Sequence, residues 1–244
     1  MIHGTTLPDL LRSVLARDGA RPLLTYYDDA AGERVELSVA TFDNWVSKTA
    51  GLLRDGLDMA RGDRVALLLP AHWQSLVLAG GCWAAGACAV LDDADDSRLA
   101  VVGPATLDAA PRNSETLALS LRPLGGRFTQ PLPAGMLDYA AEVPTYPDRF
   151  VAYEPDDPAE PALESRGVVI TYGGLVGQAT DRAAQLDAGP GARLLVATDD
   201  LRTALLDALL VPLVVGGSAV LVRNEIREHR EARLASERAR TAGP

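Results

Sequence analysis

The sequence predicts an α/β fold, layered, with a largely parallel sheet and helices on both faces. Two observations predict it. Short apolar runs such as RVALLLP and ACAVLD have the composition of strands that are buried on both faces of a parallel sheet. Around these runs lie stretches in which apolar residues recur at helical spacing, which gives the strand, helix, strand order of layered α/β proteins.

The first half of the chain follows this order closely. An amphipathic helix is predicted at residues 8–17, followed by a hairpin whose strands, PLLTYYD and ERVELS, flank DAAGE. Ser38 is placed to cap the next helix. The strand RVALLLP, a helix at residues 72–85 and the strand ACAVLD come next, and LAVVG and ETLALSLRP are predicted as two further strands.

The second half begins with an irregular segment and then returns to alternation. A buried strand is predicted to begin at Gly167, Pro212 is expected to kink a later helix, and the charged C-terminal helix is expected to pack loosely. The predicted strands are 167–172, 193–198 and 218–222, and the predicted helices are 174–187 and 201–215.

Three regions are predicted from this pattern. Residues 1–121 are interpreted as a first α/β subdomain, and residues 163–244 as a second one that carries the C-terminal helix. Residues 122–162 hold many of the prolines and little periodicity, which indicates a junction between the two.

Composition and charge exclude several classes of protein. The formal net charge of −10 argues against a nucleic-acid surface, which needs basic residues to neutralise phosphates. No apolar run approaches the ~18 residues of a membrane-spanning helix, and MIHGTTLPDLL lacks the features of a signal peptide. Cys82 and Cys88 lie among apolar neighbours and are predicted to be buried, reduced thiols. We therefore expect a cytoplasmic protein that binds neither nucleic acid nor membrane.

A nucleotide-binding pattern is present in weak form at residues 168–200. A strand runs into a helix opened by Gly173, Gly174 and Gly177, and Asp199 ends the next strand, where an acid would contact a ribose. The fingerprint lacks a required glycine, because Tyr172 directly precedes Gly173. Glycines that merely turn the chain into the helix are the favoured interpretation, and a Rossmann-like nucleotide-binding module stays an alternative.

Metal and hydrolase chemistry have less support. The carboxylates of LDDADDSR, residues 91–98, are oxygen ligands of the kind that hard cations prefer, but they are nearly consecutive and favour a solvated loop. His3, His72 and His229 lie in unrelated contexts, so no metal site is predicted. His72 follows a predicted parallel strand, where α/β sheets place ligands, although a role at the start of the next helix is favoured. No G-x-S-x-G motif is present.

A family resemblance rests on several separate motifs. GDRVA at residues 62–66, AAGA at 84–87, RGVVITYGGLVGQA, GPGARLLVATDD and LLVPLVVGGSAVLV all match segments of one superfamily in order. The chain resembles the N-terminal portion of the AMP-binding, adenylate-forming superfamily, which includes acyl-CoA synthetases, peptide-synthetase adenylation domains and luciferases. In length and layout it also resembles a group of short actinobacterial proteins that are distantly similar to AMP-binding enzymes. The resemblance implies the fold of the first half of an adenylate-forming N-terminal domain.

The resemblance also implies a phosphate loop, T/S-S/T-G-T-T-G-x-P-K-G, which this sequence does not contain. In the superfamily the glycines let amides close on the phosphates, the hydroxyls donate hydrogen bonds and the lysine adds charge. Here Arg166 stands in the place of the lysine, preceded by PAEPALES at residues 158–165. The prolines lack N–H groups, and Glu160 and Glu164 are expected to repel phosphate. Lys48, the single lysine of the chain, is expected to be a solvated helix residue.

Our leading hypothesis is a non-catalytic, truncated relative, a pseudoenzyme that acts by binding a partner protein or an acyl or nucleotide-like ligand, with no cofactor. The superfamily's adenine, Mg and ribose motifs and its C-terminal catalytic lysine are expected beyond the last residue of this chain. A sheet edge or apolar face would then need cover from a second copy or a partner chain.

The alternative is an adenylating ligase of the acyl-CoA synthetase type that uses ATP, AMP and Mg and is completed by another subunit. If a pocket survives, we expect it at the carboxyl ends of the strands. The nucleotide-binding candidates are Arg166, Thr171, Tyr172, Asp199 and Asp200, and the further pocket candidates are His72 and Trp73.

Overall fold

A computed structural model describes residues 4–111 and 114–242, so His3 lies outside the described residues. The described residues fall into two compact units, and neither unit is one continuous stretch. The first contains the described residues up to Asp43, residues 71–76 and those from Gly173 onward, and the second contains residues 44–70 and 77–172. No helix in the described part is long and apolar enough to cross a membrane.

The first unit is built on a sheet that has five strands among the described residues, in the order β12-β10-β11-β1-β2. All neighbouring pairs are parallel except β1 and β2, which form the predicted antiparallel hairpin. Its elements are α1 (Leu7–Asp18), β1 (Pro22–Asp28), β2 (Glu33–Ser38), α5 (Tyr172–Gln185, from its second residue), β10 (Arg193–Ala197), α6 (Leu201–Thr203), α7 (Val211–Val215), β11 (Ser218–Arg223), α8 (Arg230–Glu237) and β12 (Arg240–Thr241).

The predicted helix at residues 201–215 is confirmed, but it is not regular. A π-helical stretch, Ala204–Leu210, separates α6 from α7, and Pro212 lies in the first turn of α7. Pro212 lacks an amide donor, and the π-helical stretch directly before it already changes the hydrogen-bond register of the helix at this point. Gly216 then ends α7 with a φ of 62°, a left-handed conformation that glycine adopts without steric cost.

The C-terminal helix α8 is bound firmly, and the expectation that it packs loosely was wrong. Arg233 is buried and its guanidinium donates to Asp29 at 2.5 Å, while it also lies 4.5 Å from the centre of the Tyr27 ring. Glu237 accepts hydrogen bonds from the Tyr27 hydroxyl and from Arg193. The apolar face of α8 is thin, as predicted, but its charged residues find partners on the strands.

The second unit contains a sheet with seven strands among the described residues, in the order β7-β6-β5-β3-β4-β8-β9. Only β8 and β9 are antiparallel neighbours in this part of the chain. Helices α2 (Val39–Gly51) and α3 (Trp73–Ala84) each begin in the first unit and end in the second. The remaining elements are β3 (Arg64–Leu68), β4 (Cys88–Val90), β5 (Leu99–Val102), β6 (Glu115–Ala118), β7 (Met136–Asp138), α4 (Tyr139–Glu142), β8 (Pro161–Ser165) and β9 (Val168–Thr171).

The strand β9 lies at the edge of this sheet, which corrects the prediction of a buried strand. Val168 and Val169 are 56% and 52% exposed, whereas Ile170 is buried. An apolar run indicates burial on both faces only where other elements cover both faces of the sheet, and at its edge β9 is covered less completely. The sequence therefore identified the strand but not its position.

The α/β class with largely parallel strands is confirmed, although the strands form two sheets. The predicted junction at residues 122–162 contains β7 and α4 and ends inside β8. The boundaries predicted at residues 121 and 162 do not coincide with those of the two compact units, and the division into subdomains at those positions stays a prediction.

Candidate functional site

The segment in the place of the expected phosphate loop is a β-hairpin formed by β8 and β9. Ser165 lies opposite Val168, and the two residues between them, Arg166 and Gly167, have φ values of 52° and 72°. Positive φ at both central positions is the signature of a type I′ turn, whose twist matches that of the flanking strands. Because prolines and glutamates disfavour strands, the sequence did not predict β8.

Two donors at the turn of this hairpin, one of them a backbone amide, are already bound to a carboxylate. The Asp92 carboxylate accepts from the Arg166 amide at 2.7 Å and from the Ser165 hydroxyl at 2.6 Å. The Glu164 carbonyl accepts from the Leu91 amide at 3.0 Å, which joins β8 to the end of β4. An anion that used these two donors would have to displace the Asp92 carboxylate.

Asp92 belongs to the acidic segment that the sequence analysis considered for a cation. Its carboxylate holds the hairpin, and Asp93 accepts from the Asp95 amide at 2.8 Å within its own loop. Across residues 4–111 and 114–242, no three His, Cys, Asp or Glu side chains are grouped to hold a metal ion. This acidic segment therefore has a structural role, since its Asp92 side chain binds the turn that follows β8.

The two glutamates of the segment form ion pairs within the second unit. Arg61 Nε donates to Glu160 at 2.8 Å, and the Arg64 guanidinium binds both carboxylate oxygens of Glu164. These hydrogen bonds raise the pKa of both arginines. The expectation that Glu160 and Glu164 repel phosphate as free charges needs correction, because each is neutralised. This segment differs from the superfamily loop in its backbone conformation, a β-hairpin, and in the partners of its hydrogen-bond donors.

Tyr172 and Trp83 form hydrogen bonds that link the hairpin of β8 and β9 to the end of α3. The Tyr172 hydroxyl donates to the Trp83 carbonyl at 3.2 Å, and the Trp83 indole donates to the Ala162 carbonyl of β8 at 2.8 Å. Both side chains are about 1% exposed, and burial raises the pKa of Tyr172 above its usual range. Tyr172 is therefore engaged in the core of the second unit.

The structure separates the sequence-predicted candidates into two groups. Arg166, Thr171 and Tyr172 belong to the second unit, where Arg166 lies in the turn before β9 and Thr171 is the last residue of that strand. The other four candidates belong to the first unit. They are His72, Trp73, Asp199 and Asp200. Whether any of them binds a nucleotide stays a prediction.

In the first unit, His72 lies in a buried polar cluster at the end of β1. Its ring is 4.7 Å from that of Tyr26, and Nε2 is 3.9 Å from the Glu33 carboxylate, to which the Trp73 indole donates at 3.4 Å. Nδ1 accepts from the Gln74 amide, which confirms the helix-start role and places the proton of the neutral ring on Nε2. Both His72 and Trp73 are about 1% exposed.

Asp199 and Asp200 have structural partners in the loop after β10. The Asp199 carboxylate accepts from the Asn224 amide at 3.0 Å, and its carbonyl accepts from the Ala71 amide at 3.1 Å. Asp200 caps α6 by accepting from the Thr203 amide and hydroxyl. Arg223, which the sequence analysis missed, lies 3.6 Å from Asp28 and 3.9 Å from Asp199. Nothing in the sequence links Arg223 to acids so far away in the chain.

The buried His72 makes the stability of the protein pH-dependent. Burial lowers the pKa of His72 below its usual 6.5, an effect that Glu33 and Asp28 oppose and Arg223 reinforces. The unfolded chain therefore binds a proton that the folded chain does not, so stability is full above about pH 6.5 and falls as the pH drops below it.

We expect urea unfolding to show a smaller free energy of unfolding at pH 5.5 than at pH 7.5, and the His72→Gln variant to lose less over the same interval. An equal loss in the variant and the unchanged protein would assign the pH dependence to other groups.

Two sequence-based expectations about single side chains have different outcomes. Cys82 and Cys88 are free and buried, as predicted, and burial raises the pKa of Cys88 to about 11. Lys48 is not a simple solvated residue, because Nζ donates to the Tyr146 carbonyl at 2.6 Å and lies 2.8 Å from Asp148. It ties α2 to the segment that follows α4.

Comparison with known proteins agrees with this architecture. Residues 11–100 match the family of AMP-binding enzymes. A TIGR03089 family protein of Mycobacterium tuberculosis is 38% identical over 254 aligned residues, which cover 98% of each chain. This chain belongs to the TIGR03089 family.

Two solved structures share the fold of this TIGR03089 protein. A Mycobacterium tuberculosis fatty acyl CoA synthetase superposes with a TM-score of 0.74 at 19% identity, covering 96% of this chain and 48% of the synthetase. The N-terminal domain of FACL13 from the same organism gives 0.73 at 18% identity, covering 96% and 61%. The TIGR03089 chain thus spans about half the length of that synthetase, and its resemblance to the N-terminal portion of AMP-binding enzymes is confirmed.

Proposed function

We propose that this protein is a non-catalytic relative of the AMP-dependent synthetases and acts by binding, without a resident cofactor. The observation that carries this proposal is the hairpin of β8 and β9 at the position of the superfamily's phosphate loop. A loop that binds triphosphate must direct several amides toward the ligand. In this protein the residues at that position are a strand and a tight turn.

The energetic argument concerns what a nucleotide would have to displace. The Arg166 amide and Ser165 hydroxyl would have to leave Asp92, and β8 would have to leave its two neighbouring strands. Hydrogen bonds to charged groups contribute about 1.5–3 kcal/mol each, and removing one oxyanion donor from an enzyme costs about 2.7–4 kcal/mol of transition-state stabilisation. The absence of the superfamily's phosphate loop would remove several such donors, and this supports a binding role over adenylation.

The favoured ligand is a protein, either a second copy of this chain or a different partner chain. The edge strand β9 carries exposed Val168 and Val169, and edge strands are where a further chain adds to a sheet. A cytoplasmic location is part of the proposal, supported by two buried thiols that form no disulfide.

Calorimetric titration tests the loss of nucleotide handling directly. We expect no heat from ATP with Mg²⁺, from AMP, or from a non-hydrolysable acyl-adenylate, with an active acyl-CoA synthetase as the positive control in the same buffer. Micromolar binding by the unchanged protein that Arg166→Ala abolishes would overturn the proposal. Release of pyrophosphate with a carboxylic acid would favour the ligase completed by another subunit.

Sedimentation velocity tests the partner. A homodimer that Val169→Arg converts to a monomer would support self-association through β9, because a charge there opposes strand addition. A monomer in the unchanged protein would exclude a second copy as the partner.

A further inference from the structure

A cleft of about 520 Å³ opens in the second unit, on the side where β3 begins. Its apolar lining includes Met59 together with Ala84 and Ala85 at the end of α3. One wall is aromatic, with Phe150 and Tyr153 on a segment that passes beside the end of α2. The volume lies within the range of sites that hold small organic molecules.

The two arginines of this cleft already have anionic partners. Arg54 donates to both carboxylate oxygens of Asp55, at 2.7 and 3.1 Å, and to the Val151 carbonyl. Arg61 binds Glu160, which lies outside the cleft lining. A carboxylate or phosphate ligand would therefore have to compete with Asp55 or Glu160 for these guanidinium groups.

Two carboxylates that line the cleft have no positively charged partner among the described residues. Asp58 and Glu154 form no ion pair with the residues that the structure describes, and the whole chain carries a net charge of −10. A cleft lined by uncompensated charge of one sign raises the local concentration of ligands of the opposite sign. The charge of this cleft therefore selects for cations.

The aromatic wall adds a second preference. The Arg54 guanidinium lies between the rings, 4.3 Å from the centre of Phe150 and 4.1 Å from that of Tyr153. Tyr153 is 84% exposed, so the ring face that does not carry Arg54 is open to solvent. Ring faces attract cations, and the ring also offers apolar area to the body of a ligand.

We propose that this cleft binds a small organic cation, a protonated amine or guanidinium attached to an apolar body. The cation lies near Asp58 and Glu154, and the apolar body covers Met59 and the open face of Tyr153. The proposal goes beyond the binding role of the hairpin and does not depend on it, because no residue of β8 or β9 lines the cleft.

Nuclear magnetic resonance titration of the ¹⁵N-labelled full chain tests this at pH 7. The probes are phenethylamine, which is cationic, and its neutral and anionic analogues 2-phenylethanol and 3-phenylpropionate. We expect phenethylamine to shift amides of residues 54–61 and 150–154, with an affinity at least about fivefold higher than that of 2-phenylethanol. Equal shifts with all three probes, or no shift up to about 5 mM phenethylamine, would overturn the proposal.

The paired substitution Asp58→Asn and Glu154→Gln removes both charges and retains size. Asn suits position 58, where φ is 50°, because it tolerates the left-handed conformation. We expect phenethylamine affinity to fall at least about threefold, with the binding of 2-phenylethanol unchanged. The exposed Glu228→Gln, in the first unit, is the matched control and should bind as the unchanged protein does. Unchanged phenethylamine affinity in the double variant would contradict the charge argument.

Discussion

Replacing Arg233 with methionine is expected to lower the free energy of unfolding by about 3–5 kcal/mol. The substitution retains most of the side-chain volume but leaves Asp29 buried without its cation. Arg233 is 8% exposed, and its Nη2 lies 2.5 Å from Asp29. Burial by itself raises the pKa of Asp29, but the hydrogen bonds from Arg233 and the Ile226 amide outweigh it, so the carboxyl ionises below its usual range.

Chemical denaturation followed by circular dichroism measures this loss, and a matched variant isolates its cause. Arg227→Met changes an exposed arginine just before the same helix and should alter stability by no more than about 0.5 kcal/mol. In the double variant Asp29→Asn, Arg233→Met, the loss should be smaller than the sum of the single losses, because the unpaired charge is absent. A loss below about 1 kcal/mol in Arg233→Met would show that α8 contributes little through this pair.

Replacing Trp83 with alanine is expected to cost about 3–5 kcal/mol of stability. The indole is 1% exposed at the end of α3, and its Nε1 donates to the Ala162 carbonyl of β8 at 2.8 Å. Truncation therefore leaves a cavity in the core of the second unit and removes one hydrogen bond to β8.

Trp83→Phe separates these two contributions. It retains an aromatic ring but removes the donor to Ala162, so a loss of about 1–3 kcal/mol is expected. Hydrogen exchange should show faster exchange at the amides of β8 and β9 in this variant, because the hairpin loses an anchor to α3. If Trp83→Phe is as stable as the unchanged protein, the hydrogen bond to Ala162 does not stabilise the hairpin.

The hairpin of β8 and β9 supplies contacts that the sequence did not indicate at the position of the superfamily's phosphate loop. The sequence indicated that residues 158–166 contain no glycine and only one hydroxyl side chain, Ser165, and it left the glutamates as repelling charges. The structure assigns Glu160 and Glu164 to Arg61 and Arg64 and assigns the Arg166 amide to Asp92. Restoring the arginine to lysine would therefore not restore a phosphate site, because the backbone would still be a strand and a tight turn.

Local patterns determined most of the secondary structure and the family. The apolar spacing of α1, the loop DAAGE between β1 and β2 and the burial of Cys82 all follow from neighbours a few residues away. The GDRVA motif and its companions led to the superfamily for the same reason. Each signal lies within one segment and needs no knowledge of what packs against it.

Only the tertiary structure decided which strands are neighbours and which charges are paired. Arg64 and Glu164 are separated by 100 positions, and Asp29 and Arg233 by 204. The exposure of β9, the strand character of β8 and the cleft near Arg54 all arise where such distant segments meet. A sequence records the charge and shape of each residue, but a contact depends on the folded path of the whole chain, and that path determines whether a carboxylate is a free charge or half of an ion pair.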